Sequence, residues 1–87
     1  MERRRWFEAK RRGQKHPANR YQGASWRGIW ARGYAAGFIG QPVSKCPYAG
    51  SETIVSGGVN WRRGMRRAWE RAWQVGSADA ERIGRGT

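Results

Sequence analysis

Arg62, Arg63, Arg66, Arg67 and Arg71 crowd the stretch WRRGMRRAWERAW, with Glu70 as its one carboxylate. Guanidinium groups recognise rather than react: the planar, permanently charged fork grips phosphate oxygens in pairs and stacks on bases. On a helix, Arg62/Arg66 and Arg63/Arg67 stand four residues apart and repel by roughly a few tenths of a kcal/mol per pair, a cost that phosphate contact relieves. Arg27, Arg32 and Lys45 are candidates to extend this surface, with Arg32 equally suited to bracing the fold through its stem. Trp73, at the edge of the apolar stripe, offers a ring on which an unpaired base can stack; Tyr48 shares that capacity but reads first as a packing residue.

Bond-making chemistry has less to work with. Cys46 is the only cysteine and His16 the only histidine, in a different part of the chain, so no base is placed to activate the thiol. The two cannot complete a structural zinc site, and a single cysteine makes no internal disulfide, which fits a reducing cytoplasm. Glu52, Asp79 and Glu81 are scattered rather than grouped for magnesium, and Gly57-Gly58 lacks the Lys-Ser or Lys-Thr of a phosphate loop. No catalysis, metal or cofactor is expected.

Eighteen Lys and Arg against six acids give a formal charge of +12, and fifteen of the eighteen are arginine. Such a balance calls for an anionic partner, and tryptophans set among arginines favour nucleic acid over a membrane surface. No apolar run is long enough to cross a bilayer, and MERRRWFEAKRRGQKH is not followed by the apolar segment of a secretion signal, so the expected location is the cytoplasm.

Eighty-seven residues allow one small domain. Residues 1–22 hold eight basic side chains and few large apolar ones, and read as a flexible basic arm, with a short helix around 3–12 able to form on an anionic partner. From Ala24, with Ser25 as N-cap, Trp26, Ile29, Trp30, Gly33, Tyr34, Gly37 and Gly40 recur at three- and four-residue steps and predict a helix over about 24–40. Residues 41–58 form a long connection with turns near Pro47 and Gly57. A second helix over about 60–75, capped by Asn60 and closed by Gly76, sets Trp61, Gly64, Met65, Ala68, Trp69 and Ala72 opposite its arginines. Residues 77–87 read as a polar tail.

Each glycine inside an exposed helix costs about 0.5–1 kcal/mol relative to alanine, so Gly33, Gly37 and Gly40 on one face need a structural return. Close approach of the second helix through Gly64 and Ala68, with Trp26, Trp30, Trp61 and Trp69 filling around the crossing, supplies it. Val43, Cys46, Tyr48, Ile54 and Val55 are the candidates to cover the apolar end, with Cys46 acting as a small buried hydrophobe. The expected fold is all-α: a two-helix hairpin over 23–76 with a long connecting loop, a basic arm before it and a tail after it.

The stretch RGYAAGFIGQPVSKCPY, followed by WRRGMRRAW, resembles the ribosome modulation factor family of small bacterial proteins. Arg32, Gly33, Tyr34, Ala36, Gly37, Gly40, Cys46, Pro47, Tyr48, Trp61, Gly64 and Ala68 match its pattern in order. The resemblance implies a two-helix protein that binds the small ribosomal subunit through ribosomal RNA, blocks messenger access, promotes pairing of idle ribosomes and performs no enzymatic step. The longer basic arm, the extended connection after CPY and the residues beyond Gly76 depart from the family, and the scaffold is also similar to plasmid- and phage-borne relatives. The expected function is therefore a ribosomal-RNA-binding, translation-silencing factor of the hibernation type. The alternative is a phage or mobile-element protein that uses the same basic surface to bind and inhibit an acidic host protein. An antibiotic-modifying enzyme, proposed for one such relative, is not expected. A second copy of the chain, meeting it through the Trp-rich stripe, is a further possible partner.

Overall fold

The computed structural model describes residues 2–48, 55–56 and 59–84, with side chains for 4–48 and 61–84. Three helices make up the body: α1 (Glu2–Gln14), α2 (Ala24–Phe38) and α3 (Trp61–Gly84). Between α2 and α3 lie a 3-10 turn at Val43–Lys45 and a two-residue antiparallel pair, β1 (Val55–Ser56) against β2 (Val59–Asn60), so the class is all-α. Ile54 and the Gly57 turn lie outside the described residues, as do the side chains of Val55 and Asn60.

Three helices replace the expected two. The scarcity of large apolar side chains predicts an arm over residues 1–22, yet α1 packs on α2 through small ones. Ala9 is buried, and a Cβ at Gly13 would meet the Ala31 Cα at 3.0 Å. Small residues bring backbones close enough for dispersion contact along their length, which offsets ordering entropy without a bulky core. The chain from 15 to 23 is tied down as well: the buried Asn19 amide donates to the Gly13 and Arg27 carbonyls at 3.0 and 3.2 Å.

The hairpin is corrected too. Gly33 faces the backbone of Trp69 and Gly37 that of Trp73, while the Trp26 ring lies beside Gly64 and 6.2 Å from the ring of Trp61 at the start of α3. Residue numbers rise together along the contact, so α2 and α3 run parallel, whereas α1, with Gly13 on Ala31 and Arg5 beside Ile39, runs antiparallel to α2. A parallel pair needs a return path as long as the helix, about 22 Å for fifteen residues at 1.5 Å each, and that is what the long connection provides.

Gly76 does not close α3, which runs on to Gly84 and absorbs most of the expected tail. Instead Gly76 is buried against the Tyr34 carbonyl and the Phe38 amide, so it is the third glycine of the crossing. Gly64 is exposed and sits beside Trp26, where a Cβ would meet the tip of the ring at 3.2 Å. Gly40 is not a packing residue. It lies beyond α2 with φ +85, in open space, where its amide donates to the Gly37 carbonyl and that of Gln41 to the Ala36 carbonyl, a glycine-dependent helix stop.

From Gly28 to Gly37 only Arg32 is exposed on α2. Ile29, Ala36, Cys46, Ala68 and Trp69 form one buried cluster, with Trp26, Tyr48, Met65 and Trp73 packed around it. Trp30, Tyr34 and Ala72 form a second, bordered by Phe38 and Val75. Cys46 and Tyr48 thus cover the core as expected, while Val43 is exposed.

Candidate nucleic-acid interface

Arg63, Arg66, Arg67 and Arg71 line a shallow cleft along the outer face of α3 together with Glu70 and Gln74. All four are exposed, because α3 turns Ala68, Trp69, Ala72 and Gly76 toward α2 and a 100° step per residue sends the arginines the other way. Glu70 is the one carboxylate of the cleft's described lining, and the Arg66 Nε lies 3.4 Å from it, an exposed pair that contributes little. No acid stands in the first turn of α3, so the arginines of its first two turns add to the positive end of the helix dipole. A region of concentrated positive potential results.

The other predicted contacts are dispersed. Arg32 is exposed on the open stripe of α2, and Lys45 is exposed in the 3-10 turn. Arg27 is a clamp, its Nε donating to the Gln14 carbonyl at 2.9 Å and an Nη to the Tyr21 carbonyl at 2.8 Å. Arg62 is half-buried and donates to the Pro47 carbonyl at 3.2 Å, holding the turn that seats Cys46. Trp73 is half-buried, and its indole N–H donates to the Gln41 carbonyl at 2.7 Å, so its polar edge is used by the fold. Trp30 and Trp69 are buried as packing residues, and Trp61 is partly exposed beside Trp26.

Sequence reasoning missed a polar knot. The Asp79 carboxylate is buried where α2, α3 and the segment following α1 meet. The Tyr34 hydroxyl donates to its Oδ2 at 2.8 Å, the His16 Nε2 lies 2.9 Å from the same oxygen, and Arg82 donates to Oδ1 at 2.8 Å. The Ala18 amide donates to His16 Nδ1 at 3.0 Å, which places the proton of the neutral ring on Nε2, toward Asp79. Both ring nitrogens are thereby occupied inside the fold. Burial pushes the Asp79 carboxyl up, but hydrogen bonds from Tyr34 and His16, with the electrostatic pull of the His16 ring and of Arg82 behind them, outweigh it and hold the carboxyl below its ordinary value. Burial, then the bond and charge of Asp79, push the Tyr34 hydroxyl from 10.0 to about 12. The Trp30, Tyr34 and Phe38 rings stack above this knot at 5.7 and 5.8 Å, an i, i+4, i+8 ladder legible in the sequence only once α1 is known to cover it.

Burial likewise pushes the Cys46 thiol up, away from the reactive thiolate. Among the described residues no three His, Cys, Asp or Glu side chains converge as a metal would require, and no helix is long and apolar enough to cross a membrane. Compared with protein-family models, with curated proteins and with solved structures, the chain matches none.

Proposed function

We infer that the chain is an RNA-binding factor that acts on ribosomal RNA of the small subunit and silences translation. It does so in the cytoplasm, without a catalytic step, a metal or a cofactor. The observation that carries the reading is the outer face of α3, where four exposed arginines line one cleft whose described lining holds a single carboxylate, Glu70. A solvated helix surface serves solubility with mixed signs, whereas this face concentrates one sign in the geometry that phosphates satisfy. The match to the ribosome modulation factor pattern supplies the choice of RNA.

Sedimentation of a lysate tests it. The chain should travel with small ribosomal subunits, and Arg63→Glu/Arg66→Glu/Arg67→Glu should move it to the top of the gradient. With about six phosphates neutralised, the log–log dependence of affinity on salt should have a slope of about −4 to −5. A flat response, or wild-type migration of the charge-reversed variant, overturns the reading. Retention on one acidic protein after ribonuclease treatment would favour the inhibitor of a host protein instead.

A further inference from the structure

α1 presents a second cationic surface with a different composition. Residues 2–15 carry seven basic and two acidic side chains, and one of the acids, Glu8, is paired with Arg4 at 3.7 Å. On the solvent side of α1 the Phe7 ring is 53% exposed, the most exposed large hydrophobic group among the described residues. It borders a shallow recess with Lys10, Arg11 and Gln14. The Trp6 ring meets Phe7 edge-on at 5.3 Å and holds its orientation, while the Lys10 ammonium sits over Trp6 at 5.7 Å. An exposed aromatic face ringed by cations and an amide suits an unpaired nucleotide, the base stacking on the ring and the flanking phosphates meeting Lys10 and Arg11. A membrane is the poorer fit, because an interfacial helix sinks a broad apolar face, and the apolar side of α1, Ala9 and Gly13, is already spent on α2.

The two cationic surfaces also diverge. α1 rests on Ala31 and Tyr34 and α3 on Gly33 and Gly37, faces about 110° apart around α2 at 100° per residue, and Phe7 lies on the side of α1 turned away from α2. One ligand strand following α3 does not reach Phe7 on the far side of α1.

We propose that the Phe7 face of α1 binds a single-stranded RNA segment, so that one chain joins two RNA segments, one on α1 and one on α3. The choice of RNA rests on the functional reading above, but the α1 site is tested without the ribosome.

The background is the full chain carrying Arg66→Glu/Arg67→Glu/Arg71→Glu, which removes the α3 surface and leaves α1 alone. Fluorescence anisotropy with a short fluorescein-labelled oligouridylate should show saturable binding. Phe7→Ala should weaken it about tenfold or more with the salt slope unchanged, and Phe7→Trp should restore it. Arg11→Ala should instead lower the slope by about one. Equal affinity for Phe7→Ala and its parent overturns the stacking site, as does Phe7-dependent binding to phosphatidylglycerol vesicles without oligouridylate binding. In the wild-type background, energy transfer between two separately labelled RNAs should rise at low chain-to-RNA ratios, fall in chain excess and vanish in Phe7→Ala/Arg11→Glu. Sedimentation of that complex should give one chain per two RNAs. Two chains per two RNAs would assign the joining to a dimer and overturn the two-faced monomer. Because the oligouridylate assay runs with the α3 face reversed, the ribosomal reading can fail while the α1 site stands, and the reverse.

Discussion

At Gly37 a methyl group would collide with the Trp73 carbonyl, and at Gly28, nine positions earlier on the same helix, it would meet nothing within 4 Å. Alanine improves helix propensity by about 1 kcal/mol at either site. Gly28→Ala should therefore stabilise the protein by about 0.5–1 kcal/mol. Gly37→Ala should destabilise it by a net 1–3 kcal/mol, roughly, because backbone cannot rotate out of the way as a side chain can. Urea denaturation of the two variants checks the opposite signs. Tyr34 provides a second residue-scale test. Its hydroxyl keeps its proton more tightly folded than unfolded, so its contribution is intact below pH 10.0 and drains away as pH rises toward about 12. The stability gap between wild type and Tyr34→Phe should shrink by roughly 2 kcal/mol across that window. A gap that stays constant in denaturation curves at pH 9.5 and 12 would remove the hydrogen-bonded, protonated phenol from the account.

Among the elements, α2 and the first four turns of α3 were readable from periodicity and small residues, because their pattern of tryptophan and glycine marks a face directly. α1 was not, since the residues that dock it, Ala9 and Gly13, are too small to stand out among the many charges around them. Their spacing of four was the available signal. The direction of α3 was also hidden: the same glycines serve parallel and antiparallel crossings alike, and only the length of the connection hinted at the former. Of the candidate site, Arg63, Arg66, Arg67 and Arg71 stand where the helical wheel puts them, while Arg27, Arg62 and Trp73 are held by backbone carbonyls that no wheel can display. The docking of α1 yields a prediction of its own. Gly13→Val should push against the Ala31 backbone and unseat the helix, so that amides of residues 6–14 exchange freely while those of 64–76 keep their protection. Hydrogen exchange read by mass spectrometry resolves the two segments.

The whole molecule is a central helix flanked by two cationic ones, drawn out to 48 × 26 × 20 Å. The flanking helices carry most of the charged side chains, whereas α2 holds two, Arg27 turned onto backbone carbonyls and Arg32 exposed, so recognition and cohesion are assigned largely to different parts of the chain. Because α2 is enclosed along nearly all its circumference, its sequence is answerable to its neighbours at almost every position. A saturation library selected for folded protein should therefore show a trough of intolerance from Ile29 to Gly37 broken at one point, Arg32, where any polar residue passes. The outer helices, by contrast, hold broad runs of interchangeable positions, so natural drift or deliberate redesign of what this protein grips can proceed there without reopening its centre.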